Sequence, residues 1–272
     1  MTTTSHDPEA PQYSFDNNDP EAADRHNYLA EILDEFTFSQ LSRLAPLTGR
    51  RCLELGAGAG TVASWLAGQV GPAGHVLATD LDPRYLPSDA GYSVLRHDLR
   101  NDPVPGGPWD LIHARLVLVH LPERREILKR LVAALAPGGH LAVADWATTH
   151  RRLVLATPDP EATALVDAYH DALVTQVFPG RGADPTWAES IHAAMLDEGL
   201  VDVTTEISAG SWPGGSAGAR LIEVNLAQLR ADFEAAGFTP DRLDRLRAVV
   251  NDPRVVLRGH FTYLTVGRRP VS

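Results

Sequence analysis

Between Arg50 and Trp146 the chain alternates short apolar runs with longer amphipathic stretches. The runs fall at residues 52–55, 76–79, 92–95, 111–113 and 141–144. Runs so short and so continuously apolar predict strands buried on both faces of a parallel sheet. Before the last run, Pro122 opens a helical stretch in which Ile127, Leu128, Leu131, Val132 and Leu135 share a face. Pro137-Gly138-Gly139 is expected to stop that helix and turn the chain back. Strands alternating with helices predict a doubly wound, Rossmann-like α/β sheet.

Beyond residue 150 the pattern loosens. Residues 150–199 read as helices, with Asp184-Pro185 as cap and first turn, Trp187, Ile191 and Met195 on one face, and Gly199 as the stop. A strand is expected over 201–207, then a loop rich in glycine (Gly210, Gly214, Gly215, Gly218), helices over 221–236 and 241–250, and a last strand over 261–266. With neither repeat nor long linker, the helices after the fifth strand are expected to roof the same sheet. The organisation read from the chain is an N-terminal arm with lid helices over 1–45, a core over 46–150, a helical roof over 151–200, and C-terminal strands and helices over 201–272 completing the sheet. In the arm, Asn17-Asn18-Asp19-Pro20-Glu21 leads into a helix whose expected inner face is Tyr28, Leu29, Ile32, Leu33 and Phe36.

Composition narrows the function. The 272 residues are 44% hydrophobic and 22% charged, which is ordinary for a soluble globular chain. Only residues 1–19 are polar, acidic and proline-containing throughout. A formal net charge of −11 disfavours nucleic acid, whose binders gain affinity by setting Lys and Arg on phosphates. The single cysteine, Cys52, rules out an internal disulfide framework and fits a reducing compartment. There is no basic start followed by an apolar stretch, and no apolar run approaches the roughly 18 residues that span a bilayer. The expectation is a cytoplasmic protein whose partner is a small molecule, with no nucleic acid and no membrane, and with a homodimer left open.

The chemistry concentrates in Leu53-Glu54-Leu55-Gly56-Ala57-Gly58-Ala59-Gly60. Glycines after a buried strand allow a sharp turn and let a ligand approach the main chain, although tight turns also need glycine for packing alone. A nicotinamide fingerprint would place its third glycine at position 61, which is Thr61. Asp80 ends the second strand some twenty residues on, where an acid can accept both ribose hydroxyls of a nucleoside. A helix-capping role suits Asp82-Pro83 better than Asp80. His97-Asp98-Leu99, Trp109-Asp110-Leu111-Ile112-His113-Ala114 and Ala136-Pro137-Gly138-Gly139-His140-Leu141 follow in order.

This succession resembles the class I S-adenosylmethionine-dependent methyltransferases, in particular bacterial small-molecule and natural-product enzymes with a Leu-Val-His-Leu-Pro-Glu-Arg segment, here residues 118–124. The resemblance implies a seven-stranded sheet with an antiparallel last strand. It also implies S-adenosylmethionine as cofactor, held by Glu54, Gly56, Ala57, Gly58, Asp80, Leu81, Asp98, Leu99, His113 and Ala114, with Tyr13 and Arg25 closing over it. Arg25 has the planar fork for the cofactor's carboxylate, but an ion pair with Glu21 or Asp24 is the alternative. His113-Ala114-Arg115-Leu116 is not the Asn/Asp-Pro-Pro-Tyr box of nucleobase methyltransferases, and no carboxylate cluster for magnesium is evident, so no metal is expected.

Catalytic groups are harder to read, because methyl transfer from a sulfonium needs positioning first and a base only if the acceptor loses a proton. His120 is the candidate base, against a plain role at the start of the helix after it. Asp145 is either a base or a strand-end acid, and His150, His170 and His192 read as ordinary surface positions. Trp146, Tyr169, Phe178 and Trp212 are the candidate acceptor-binding residues, while Trp187 at helical spacing reads as core. The function expected is methylation at O, N or C of a small apolar or aromatic acceptor such as a natural-product intermediate. The alternatives are a relative that uses the same cofactor for cyclisation, decarboxylation or rearrangement, a macromolecular methyltransferase, and a binding protein with a vestigial site.

Overall fold

The computed structural model describes residues 22–44 and 46–271. The arm expected over residues 1–19, with Tyr13, lies outside them. In chain order the elements are α1 (Ala22–Leu41), β1 (Arg51–Leu55), α2 (Thr61–Val70), β2 (His75–Asp80), β3 (Ser93–Arg96), β4 (Trp109–Arg115), α3 (Arg124–Ala134) and β5 (Leu135–Ala147). β6 (Val154–Ala156), α4 (Pro160–Ala172), α5 (Phe178–Gly180), α6 (Trp187–Asp197), β7 (Val201–Ser208) and β8 (Ser211–Pro213) follow. α7 (Ala217–Gln228), α8 (Arg230–Ala235), α9 (Pro240–Asn251), β9 (Val256–Arg258) and β10 (Phe261–Arg268) complete the chain.

Side chains along the central strands alternate between two faces and thereby set the layers. Leu53, Leu55, Ile112, Leu141 and Val143 pack with Ile127, Leu131 and Trp187 from α3 and α6. Cys52, Leu111, Ala142 and Ala144 pack on the other face with Leu41, Val62 and Leu66 from α1 and α2. The seven-stranded sheet has the order β3-β2-β1-β4-β5-β10-β7. The first five strands in that order are parallel, and β10 is antiparallel to both its neighbours. The chain turns back between β1 and β4, which opens a crevice at their carboxyl ends.

Several elements differ from the sequence reading. Residues 92–95 were expected to be buried on both faces, but β3 is an edge strand, with Val94 and Leu95 exposed. α3 begins at Arg124, after Pro122, and stops at Ala134, before Pro137-Gly138-Gly139. That tripeptide lies inside β5 at a register shift opposite Trp109 and Leu111, where a Cβ on Gly139 would stand 2.6 Å from the Trp109 carbonyl oxygen. Residues 150–199 contain β6 as well as helices, and α4 runs through a π-helical turn over Leu173–Val177 into α5.

The division between roof and sheet also changes. β6, β9 and β8 form a second, three-stranded sheet. Leu165, Val166 and Tyr169 of α4 share one core with Ile222, Leu226, Phe233, Leu243 and Leu246 of α7, α8 and α9. The roof is therefore built from two stretches, one after β5 and one between β7 and β10, while α6 belongs to the main sheet's own layer. The second excursion leaves the sheet at Ser208 and re-enters it opposite, with Thr262 paired to Ser208. A chain that leaves and returns at the same edge must run back antiparallel, which is what reverses β10.

α1 packs its last turn on the sheet face through Leu41 and meets the end of β4 through its middle, and its buried stripe is mixed: Ala22, Arg25, Leu33, Thr37, Gln40 and Leu41. Of the expected inner face only Leu33 is buried, and Tyr28, Leu29, Ile32 and Phe36 are half-buried. The helix is pinned by Asp34, whose Oδ1 lies 2.8 Å from Arg115 Nη2 and accepts from the Thr61 hydroxyl at 3.1 Å. Arg115 Nη1 also donates to Thr37 Oγ1 at 3.1 Å.

Trp212 is held in a slot that only glycines leave open. A Cβ on Gly218 would stand 2.1 Å from Trp212 Cδ2, and one on Gly259 would stand 2.6 Å from Cε2. Gly218→Ala should therefore destabilise the protein by about 1–3 kcal/mol through overpacking. Chemical denaturation checks this, and an unchanged midpoint would show that the indole moves freely.

Candidate active site

The site begins where β1 runs out. Gly56 and Gly58 have φ of 60° and 55°, a left-handed conformation that a side chain disfavours. A Cβ on Gly56 would stand 2.4 Å from Val117 Cγ2, and one on Gly58 would stand 2.9 Å from His26 Nδ1. The loop thus needs glycine for its backbone and for the closeness of its neighbours. Ala57 N–H donates to the Thr79 carbonyl at 2.9 Å, which ties the loop to β2.

Asp80 closes this turn. Its Oδ2 accepts from Gly58 N–H and its Oδ1 from Asp82 N–H, both at 2.9 Å. Burial raises its pKa above the ordinary carboxylate value, and these main-chain donors oppose that rise. Each oxygen accepts one of these N–H groups and keeps lone-pair capacity for a second donor. Asp82 instead caps the turn after it, accepting from Arg84 N–H at 3.4 Å.

Beside the loop, on the face that carries Cys52 and Leu111, the buried Glu54 Oε2 and His113 Nδ1 are 2.7 Å apart. Asp98 is held after β3 by Arg100 N–H at 3.0 Å and the Asn101 side-chain amide at 2.7 Å. Leu81 is 49% exposed next to Asp80. The Leu99 side chain is sunk in the core and Ala114 is fully buried.

α1 covers the loop with residues of which the sequence reading named only Arg25. His26 sits over Gly58, its ring 5.2 Å from that of Tyr85. Burial, and then the charge of Arg25, lower its pKa to about 4. Arg25 is itself only 7% exposed. Arg25 was named through the family resemblance, and nothing local marked His26.

A family model described as a methyltransferase domain matches residues 24–243. The chain belongs to the methyltransferase-domain family. It is 38% identical to the methyltransferase str3 of Strobilurus tenacellus over 127 residues, 44% of this chain and 43% of that protein. It is 29% identical to the methyltransferase GfsG of Streptomyces halstedii over 209 residues, 74% of this chain and 71% of that protein. The chain thus spans less than half the length of the first of these relatives. The fold is shared with phosphoethanolamine N-methyltransferase 2 of Haemonchus contortus in complex with S-adenosyl-L-methionine, at a TM-score of 0.54 and 17% identity over 92% of this chain and 56% of that one.

The family's cofactor is S-adenosylmethionine, and the residues of this methyltransferase domain fit it. Gly56 and Gly58 leave a cradle that a Cβ would fill, and Asp80 presents a carboxylate with remaining acceptor capacity at the crevice.

The candidate catalytic and acceptor residues separate into groups. His120, in the turn Leu118–His120, is buried edge-on to Phe178 at 6.4 Å. Burial, then Arg25 and Arg124, lower its pKa to about 3. A ring whose protonation burial opposes is a weak general base near neutral pH, and its edge-on contact with Phe178 suits the packing role that was the alternative for His120. Tyr169 is corrected: it is buried inside the roof core, stacked on Phe233 at 5.1 Å with its hydroxyl bonded to Asn225, and does not line the cavity between α1 and α7. Trp146 and Trp212 do come together, 6.2 Å apart, and His260 joins them at 5.2 Å from Trp146. Asp145 is fully buried on the opposite face, towards the main-chain N–H groups of Val119 and Val117, and burial raises its pKa well above the usual carboxylate value.

Two expectations follow. Asp80→Ala should weaken S-adenosylmethionine binding at least tenfold in calorimetry, since charge-assisted hydrogen bonds contribute about 1.5–3 kcal/mol each. Asp82→Ala should do far less, and equal effects would remove Asp80 from the site. His120, neutral when folded but titrating near 6.5 when unfolded, contributes stability that is complete above pH 6.5 and declines as pH falls towards 3. The stability advantage of wild type over His120→Gln should therefore shrink by about 2 kcal/mol between pH 6.5 and 5. A collapse of turnover in His120→Gln, with cofactor affinity and stability unchanged at pH 7.5, would restore the base.

Proposed function

We propose that this methyltransferase acts on a small, largely apolar or aromatic organic acceptor of the natural-product kind, at O, N or C. The observation that carries this reading is a cavity of about 260 Å³ between α1 and α7, lined mainly by aromatic, aliphatic and small neutral residues, with His260 and one acid, Glu31, and without Lys or Arg. A pocket that desolvates its ligand with so few charges suits an apolar molecule better than a phosphorylated one. The net charge of −11 adds to the case against nucleic acid.

In this reading Asp80 takes the ribose hydroxyls, and Gly56, Ala57 and Gly58 allow close approach of the main chain. Glu54 and His113 form the floor, Asp98 and Leu81 flank the base, and Arg25 faces the carboxylate. When bound, S-adenosylmethionine supplies an electrophilic methyl group. α1 and the roof exclude water and hold the acceptor's reacting atom against it, so that positioning provides much of the acceleration. No helix of the described residues is long and apolar enough to cross a membrane, and the reading requires none.

The test is incubation with methyl-tritiated cofactor and a small-molecule extract of the cells that make the protein. Label should pass into organic-soluble products in step with S-adenosylhomocysteine. Label in protein or nucleic acid instead, or S-adenosylhomocysteine in step with an unlabelled rearranged product, would overturn the reading.

A further inference from the structure

We propose that the cavity between α1 and α7 is the acceptor pocket, and that it selects a neutral apolar molecule presenting one hydroxyl to the His260 ring. This rests on the methyltransferase reading above and adds to it the group that is recognised.

Position supports the assignment. The cavity lies over the β10 and β7 edge, at Thr262 and Ser208, and Thr262 pairs with Trp146 at the end of β5. β10 is two strands from β4, about 10 Å at the usual spacing, so one small molecule reaches from this cavity to the crevice beside β4. The walls are Ile32, Leu33 and Phe36 from α1, with Trp212, Ala217 and Gly218 opposite. Gly218 and Gly259 fix the Trp212 ring in its slot, which gives the cavity a rigid wall.

His260 stands half-buried in the cavity wall. Its ring is enclosed by Trp146 at 5.2 Å, Trp212 at 5.8 Å and His170 at 6.1 Å. His170 Nε2 donates to the Thr148 carbonyl at 2.6 Å, whereas the ring nitrogens of His260 make no hydrogen bond among the described residues. Burial, and then His170 and Arg258, keep His260 neutral, with a pKa lowered to about 3. A neutral imidazole offers one acceptor and one donor, the complement of a hydroxyl. Ser216 adds a hydroxyl that has no partner among the described residues, in the same wall. Glu31 at the rim, and the lack of any Lys or Arg in the lining, select against an anion.

The experiment compares 2-naphthol, naphthalene and 2-naphthoate by equilibrium dialysis on the full chain saturated with S-adenosylhomocysteine. Wild type should retain 2-naphthol at least fivefold more tightly than naphthalene and should not retain the carboxylate. His260→Leu should lose the preference for the hydroxyl, while His260→Gln, which still donates and accepts, should keep most of it. If the leucine variant does not fold, His260→Phe carries the same test. S-adenosylhomocysteine affinity, measured by calorimetry, should be equal in all the proteins. Equal retention of 2-naphthol and naphthalene by wild type, retention of neither, or an undiminished preference without His260 would each overturn the proposal. Failure of wild type to bind S-adenosylhomocysteine would instead overturn the reading beneath it.

Discussion

A single carboxylate joins the ends of two neighbouring strands, and the geometry of the crevice depends on it. The register of β1 on β2 pairs Leu55 with Thr79, which brings Asp80 beside the loop leaving β1. From there its two oxygens hold Gly58 and Asp82. Burial makes the charged carboxylate costly, and the main-chain donors offset that cost only while the loop keeps its left-handed glycines. Loop shape and carboxylate charge therefore stabilise each other. A ligand that adds donors to Asp80 strengthens an arrangement already in place, which is preorganisation in the physical sense.

α1 has the complementary task of covering that crevice. The Arg115–Asp34–Thr61 contacts fix its middle to the end of β4 and the start of α2. Arg115 and Asp34 have side chains only 12% and 22% exposed, so solvent screens this pair less than it does the many ion pairs on the surface. Towards its start, buried Arg25 favours neutral rings at His26 and His120, because an imidazolium there would be both desolvated and next to a guanidinium. The start of the cover is thus made of neutral rings around one buried cation.

The roof shows how one sheet edge serves two purposes. The stretches after β5 and after β7 both emerge at the carboxyl ends of the parallel strands, and their helices bury one another's apolar faces in a core separate from those of the sheet. That core fixes the wall opposite α1, separately from the strands that carry Asp80 and the glycines.

What the sequence by itself determined was local. Apolar runs at 52–55, 76–79 and 141–144 become strands because their length and continuous apolar character suit a strand of a parallel sheet, and Gly56, Gly58 and Asp80 stood out because a tight turn has few chemical solutions. The reversed last strand was legible only through the family resemblance. Tertiary structure decided the rest. Val94 and Leu95 look like core residues until the strand order puts them at an edge, and Tyr169 looks like a ligand contact until Phe233, far along the chain, stacks on it. His26 and His260 have no distinguishing neighbours in sequence. His26 gains its place from the crossing of α1 over Gly58, and His260 from the approach of Trp146, His170 and Trp212. Periodicity and turn chemistry act over a few residues, whereas burial and the absence of a hydrogen-bond partner are created by segments that meet only once the chain has folded.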